Sequence, residues 1–490
     1  MSDPSAINLN LPNIALTSDM MLGLKPSAPK SRSYRLNVSP LNKSIFSGLD
    51  QIIIELPTGR RNTWLDQSQS YLKFSVQCAS TAAVVNNNSI YLDNSAYSFI
   101  QRLDVYNSSN LIETINEYGQ LSNYLIDMSL TRSDKAGMSS LIGTNANLQI
   151  YSAAAATIVT PFQIPGDRSG MGLNSVAIAS GISTAVPYTF CLPLLSGVVG
   201  VNASKMLPIG KLNAPIRLEF YLSANDDAIY SGTLGAGAVW QIVNVEFCAC
   251  YVEIQDDSID QNLGVPEYIS TTTYRQTSTY LPAATSGEYT CLVPFRCSSL
   301  TALYARFRNY SNSVQGVNGT AAYRKSSSIN PNFSQFYFRI GSSIYPNKPI
   351  NLINGSLVGT GSEAMAELLK SFHSLSSTIG NSSITSQNYN VAATAVQGWN
   401  LANVPGAKTS GTVDTHYNAF SIGLECESFS NRSDTILSGI STLNSQIFFT
   451  GVVNSGATVG GASNFNYTVD FFSQMDMILV LENGLFTAKF

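Results

Sequence analysis

The chain repeats itself once, and that repeat limits the fold more than any other feature. "PIGKLNAPIRLEFYL" ends at Leu222, and "LSGISTLNSQIFFTG" ends at Gly451. In each, a glycine (Gly210, Gly439) precedes a short polar linker and an apolar strand, with bulky side chains at Leu218 and Phe220 and again at Ile447 and Phe449. Earlier in the first half, "FIQRLDVYNSSNLIETI" reads as two strands joined by a polar turn. "NEYGQLSNYLIDM" follows it and suits a helix with Leu121, Tyr124, Leu125 and Met128 on one face. "FYFRIGSSIYPNKPI" and "SEAMAELLKSF" restate that order in the second half, with Arg102 and Arg339 in matching places. Each half then has a long low-charge stretch (130–186, 373–418), a strand ("YTFCLPLL", "FSIGLECE"), the quoted glycine and strand, and a closing apolar run ("WQIVNVEFCACYVEI", "YTVDFFSQMDMILVL"). The period is far too long for a solenoid, so the repeat is two copies of one domain.

Short apolar runs split by Asn, Gly, Ser and Pro mark an all-β chain. About eight strands fall in each half. Eight antiparallel strands in two facing sheets form a jelly roll, which protects most of its edges by folding the sheets on each other. The expected fold is therefore two tandem eight-stranded antiparallel jelly rolls, with short helices and long loops. Residues 1–44, rich in proline and mildly basic, read as an N-terminal arm. Residues 45–262 form the first roll and 263–490 the second, joined by the acidic "QDDSIDQNLGVPE" (255–267). Ordinary connections run about two to six residues, so stretches of roughly forty to sixty would build a tower at one end.

Composition narrows the chemistry. Charged residues are 12%, about half the usual share, while 44% are hydrophobic and the net charge is -4. Such a balance gives no general pull toward nucleic acid. Seven scattered cysteines without a CxxC pair read as reduced, buried thiols. Only His373 and His416 add nitrogen ligands, and both read as lone packing or surface residues, which disfavours zinc and cupin-type metal sites. Asp256, Asp257 and Asp260 lack the spacing of a calcium loop and read as solvated linker. No nucleotide, hydrolase or metalloprotease motif occurs, and Glu113, Glu117 and Glu425 have no partner carboxylate at a defensible spacing. The N-terminus has no secretory pattern, and no run reaches about 18 apolar residues. The basic run "LKPSAPKSRSYR" supplies Lys25, Lys30, Arg32 and Arg35, an arm suited to docking on a neighbour ahead of weak contact with a genome or inner membrane. Arg102 and Arg339 read as strand arginines bonding loop carbonyls or a carboxylate, with Glu113 across the hairpin from Arg102 and Ile350 in its place in the second copy.

Taken together, these strings resemble the double jelly-roll major capsid proteins of tailless icosahedral DNA viruses, most of all those of polinton-like viruses, adintoviruses and virophages. "LPLLSGVVGVNASKMLPIGKLNAPIRLEFYL" (192–222) is similar to the segment closing the first roll, "FIQRLDVYNSSNLIE" (99–113) to the early hairpin, and "FSQMDMILVLENGLFTAKF" (472–490) to the final strands. The resemblance spans residues 45–490 and is distributed over the chain. It implies a structural protein of the virion with no catalysis and no cofactor, assembled inside the host cell. It implies a homotrimer whose six rolls make a pseudo-hexagonal tile of an icosahedral shell around double-stranded DNA. The implied partners are further copies of itself, a penton protein and minor or cement capsid proteins, with no small-molecule substrate. Strands would stand upright to the shell, with long loops outward and the arm near the interior base. One other class stays open, a tandem β-sandwich carbohydrate-binding or fibre protein. It would need aromatic clusters on loops, whereas Trp64, Trp240 and Trp399 are dispersed.

Overall fold

The computed structural model describes residues 30–80, 90–144, 150–152, 157–159, 169–173, 175–231, 238–255, 267–282, 287–309, 325–326, 328, 333–354, 357–358, 361–372, 375, 382–384, 389, 420–428, 436–453 and 467–490. The first half contains β1 (Ser31–Val38), β2 (Gln51–Leu56), β3 (Thr63–Ser80), β4 (Ile100–Asn107), β5 (Asn110–Asn116), helix α1 (Tyr118–Ser129), β6 (Tyr188–Leu192), β7 (Ile216–Leu222) and β8 (Ala238–Ile254). The second contains β9 (Glu267–Leu281), β10 (Gly287–Val293), β11 (Leu300–Asn309), β12 (Phe333–Ile340), β13 (Ser343–Asn351), α2 (Ser362–Lys370), β14 (Ser421–Glu425), β15 (Ile447–Val453) and β16 (Tyr467–Glu482), with β17 (Leu485–Lys489) folded back on β16.

The two halves are wired alike. In the first, one sheet runs β1-β8-β3-β6 and the other β2-β7-β4-β5. In the second, β9-β16-β11-β14 faces β10-β15-β12-β13, the same order strand for strand. Apart from the β4–β5 and β12–β13 hairpins, successive strands within each roll cross between its two sheets, the winding of a jelly roll. Short strands at Ile45–Ser47 and Ser175–Ala177 add to β8 and β3 of the first roll.

Each sheet owes its inner face to the period of two. In β7 (IRLEFYL), Ile216, Leu218, Phe220 and Leu222 are buried, while Arg217, Glu219 and Tyr221 take the other face. In β2 (QIIIEL), Ile52, Ile54 and Leu56 meet them from the neighbouring strand. Across the first core, Phe99 sits edge-on to Trp240 with ring centroids 4.8 Å apart. In the second, Phe449 is the hub for Phe307, Phe333, Phe338 and Phe471 at 5.3 to 5.9 Å. Aromatic pairs of this kind are worth about 0.5–1.5 kcal/mol beyond their burial, so each roll has its own aromatic centre.

Three expectations need correction. Residues 31–38 are not part of a loose arm: they form β1, paired along its length with β8. Tyr34, Leu36 and Val38 alternate on a half-buried face there, which is the strand pattern. Second, β7 starts at Ile216 opposite Leu56 and Asn107, and β15 starts at Ile447 opposite Val293 and Ile340. Ile216 therefore corresponds to Ile447, and Leu212-Asn213 to Leu443-Asn444. The alignment on Gly210 and Gly439 is two residues out, a slip that leaves every side chain on its own face and so goes unseen in the alternation. Third, counted from the hairpin turns, where Ser108 and Gly341 both take left-handed φ (57° and 61°), Arg339 corresponds to Tyr106 and not to Arg102. Glu113 pairs across the hairpin with Val105, not Arg102, and its counterpart is Tyr345.

The ends of the rolls differ. One end, the base, gathers the short β4–β5 and β12–β13 turns, the starts of β1 and β9 and the ends of β8 and β16. The other carries the long connections: β3 to β4, β5 to β6, β11 to β12 and β13 to β14. The rolls stand with their bases level, because the β16–β17 turn meets the first roll beside its own β4–β5 turn. Asn213 N–H donates to Gly484 O at 2.9 Å, and Phe486 N–H to Asn107 Oδ1 at 2.9 Å.

Candidate assembly surfaces

The surface between the two rolls is a heterologous one. Roll 1 offers the open edge of its sandwich: β5, α1 and the 193–213 segment after β6. Roll 2 offers the outer face of its β9-β16-β11-β14 sheet. Glu113 of β5 is buried at the junction and accepts from Thr273 Oγ1 of β9 (2.5 Å), from Gly197 N–H (3.0 Å) and from Ser196 Oγ. Burial pushes its carboxyl above the ordinary value of 4.5, and those donors offset only part of the rise. Thr271 Oγ1 donates to Gly197 O (2.9 Å) and Asn202 O (3.0 Å), and Lys211 pairs with Glu267 at the base.

Helix α1 forms the upper part of that junction. It buries Leu121, Tyr124 and Met128, with Leu125 half-buried, on the face its periodicity indicates. Tyr124 packs on Tyr304 and Phe372 at 5.7 Å and on Phe472 at 6.5 Å, all residues of roll 2. Gln120 accepts from Arg306 at 3.3 Å. Among the far-end connections, Ser326 N–H donates to Asp93 (2.9 Å), and Lys325 bridges Glu117 (3.0 Å) and Asp227 (3.1 Å). Burial opposes the charge on Lys325, but the two carboxylates outweigh it and its pKa is raised. Within roll 2, Arg308 forks onto Asp470, with Nη2 to Oδ1 at 2.8 Å. Burial alone would raise the Asp470 pKa, yet the guanidinium prevails and holds it below 3.8.

The basic residues singled out from the sequence lie at or beyond the start of β1. Lys25 falls outside the described residues. Lys30, Arg32 and Arg35 are exposed; Arg35 Nη1 donates to Tyr71 OH at 3.0 Å, and the Arg32 guanidinium lies 5.7 Å from the Tyr34 ring centroid. They border the outer face of the β1-β8-β3-β6 sheet. That face carries paired polar groups: Lys73 pairs with Glu246 (3.0 Å), Asn37 donates to Glu246 (3.1 Å), and Ser75 meets Thr189 (2.8 Å). Arg102 and Arg339, though not equivalent, do the same work, each stacking on the aromatic directly opposite in the next strand, Tyr221 at 3.8 Å and Phe448 at 4.8 Å.

The residues weighed for chemistry stay apart or fall outside the description. His373, His416, Asp256, Asp257 and Asp260 lie outside the described residues. Glu117 is held by Lys325. Among the described residues no three His, Cys, Asp or Glu side chains gather at metal-binding distance. All seven cysteines are free thiols, five of them buried, and burial pushes Cys78 and Cys291 up to about 12. Trp240 is sealed in the first core, Trp64 is half-buried on β3, and Trp399 lies outside the described residues. Sequence reasoning missed the junction role of Glu113 and Tyr124, since their partners are distant in the chain.

No family model matches the sequence, and no curated protein matches it. Solved structures do. The PBCV-1 virus capsid, a quasi-atomic model, superposes with a TM-score of 0.55 at 8% identity, covering 96% of this chain and 99% of that one. PBCV-1 VP54, fitted into a cryo-EM reconstruction of the virophage Sputnik, gives 0.54 at 9% identity over 96% and 99%. The cryo-EM structure of the Sputnik virophage gives 0.54 at 12% identity, over 100% of this chain and 92% of that one. The likeness runs through both rolls, and the fold is a double jelly roll.

Proposed function

We propose that this chain is a major capsid protein, a structural and non-catalytic subunit that builds the icosahedral shell of a double-stranded DNA virus and resides in the virion. The observation that carries this reading is the head-to-tail junction between two identically wired rolls. A heterologous contact between like units propagates, and it closes into a ring when the rotation allows. Three chains supply six rolls, so a homotrimer is a pseudo-hexagonal tile with six similar flanks. The shared fold with structures from the PBCV-1 capsid and the Sputnik virophage supports the same role.

In this reading the bases face inward and the long connections at the far end face outward. The start of β1 is at the base, and Lys30, Arg32 and Arg35 there contact a neighbour; Lys25, of the same basic run, lies outside the described residues. A penton protein and minor or cement capsid proteins complete the shell. The division of the chain falls in the acidic segment near residue 262. Negative-stain images of the purified protein test the role: flat particles with hexagonal outlines are expected. Compact monomers that bind consistent hits on a glycan array would overturn it in favour of a tandem β-sandwich carbohydrate binder.

A further inference from the structure

The string Gly59-Arg60-Arg61 places two cations at one end of roll 1, in the connection between β2 and β3. Leu56 ends β2 opposite Ile216, which pairs in turn with Asn107 beside the β4–β5 turn. Thr63 opens β3 opposite Glu253, near the end of β8. The connection is therefore part of the base, and both arginines are exposed on it.

The loop holds them in place. Gly59 and Asn62 take left-handed φ (82° and 55°). Gly59 N–H donates to Ile209 O at 3.3 Å, and Asn62 O accepts from Ile254 N–H at 3.0 Å. Gly210 lies so close beneath that a Cβ there would collide with the Arg60 carbonyl. Arg60 Nη1 donates to Tyr34 OH at 2.8 Å, and its guanidinium lies 5.9 Å from that ring's centroid, with Arg32 5.7 Å from the same ring. Tyr34 packs on Tyr251 at 5.8 Å, whose buried hydroxyl has no hydrogen-bond partner among the described residues. A guanidinium fixed on a neutral phenol keeps its full charge and its remaining N–H donors for another group. Lys43, Lys73, Arg102 and Arg217 each stand beside a carboxylate, whereas Arg60 has none among the described residues.

Roll 2 repeats the feature. Its β10–β11 connection follows Val293, the counterpart of Leu56, and carries Arg296, exposed and likewise without an ion pair among the described residues. Around these arginines the base presents Ser108-Ser109 and Ser342-Ser343, exposed hydroxyls of the kind that donate to phosphate oxygens. The exposed apolar side chains nearby, Leu111, Tyr268, Ile344 and Leu443, stand on four separate segments rather than along one apolar face, which a lipid leaflet would require.

We infer that the β2–β3 loop, through Arg60 and Arg61, and the β10–β11 loop, through Arg296, bind the phosphate backbone of duplex DNA, the genome inside the shell. This rests on the assembly role proposed above, in which the bases face inward, and adds what they face. The net charge of the chain is -4, so the attraction is local to the base and blind to sequence, and it works by releasing counterions from the duplex. Copies side by side repeat the three arginines, and contacts that are weak singly add along the DNA.

The test is binding of the full-length chain to a fluorescein-labelled duplex, followed by anisotropy between about 50 and 200 mM salt. Binding that falls steeply with salt and is equal for unrelated sequences is expected. Arg60→Ala/Arg61→Ala should bind at least about tenfold more weakly and lower the salt slope by about two for each engaged chain. Lys43→Ala, beside Asp50 at the far end, should leave binding unchanged. If the double variant loses its melting transition, Arg296→Ala reads the same contact from roll 2. No binding at about 50 mM salt, an unchanged salt slope in the variants, or tighter capture by phosphatidylcholine–phosphatidylserine vesicles than by DNA overturns the inference. Light scattering on the same samples separates the two readings. A chain that never associates overturns the assembly role, and an associated chain that ignores DNA overturns this inference alone.

Discussion

Glu113 shows what a single residue does here and why it escaped the sequence. It sits on a strand whose alternation is plain, yet its partner Thr273 is 160 residues away, and no local pattern announces a carboxylate buried between two domains. Its raised pKa fixes the sign of its pH dependence. A carboxyl whose folded pKa exceeds the unfolded one supports the fold fully below the unfolded value and loses that contribution as pH rises through the folded value. Glu113→Gln stays neutral throughout. The melting temperature of the native chain minus that of the variant should therefore fall as pH is raised from about 4.5 toward neutrality. Calorimetry at several pH values checks this, and a difference that stays flat or grows would show that the junction welcomes the charge.

At the scale of elements, the strands and helices were the legible part. β7 and β15 declare themselves by alternation, and α1 by its stripe of Leu121, Tyr124 and Met128. Register was less legible because a two-residue slip costs nothing in that pattern; the repeated Leu-Asn before each strand, at Leu212-Asn213 and Leu443-Asn444, is the signal that fixes it. β1 was hidden by its polar outer face, although Tyr34, Leu36 and Val38 keep the period. The helix-to-sheet contact in roll 2 depends on a glycine: a Cβ on Gly423 of β14 would stand 3.0 Å from Leu368 Cα of α2. β17 is the element whose removal is most informative, since it ties the last strand of roll 2 to the base of roll 1. Phe486 on it is fully buried. Phe486→Ala is expected to cost about 3 kcal/mol, read as a lower denaturant midpoint. A change under about 0.5 kcal/mol would mean that the hairpin only rests on roll 1.

At the scale of the whole molecule, the sparse charge and the duplicated wiring point the same way. Lateral faces destined for burial are poor in charged residues, and this chain has 12% where about 25% is usual. The duplication was readable because both halves keep the same order of strand, hairpin, helix and long connection. What no sequence pattern carried was the head-to-tail junction, which needs the positions of both rolls at once. The most direct measurement is the solution mass of the purified chain by light scattering coupled to size exclusion. The account predicts a single species near 158 kDa, about three copies of the 52.7 kDa chain. A stable monomer at every concentration, or a closed dimer, would contradict it.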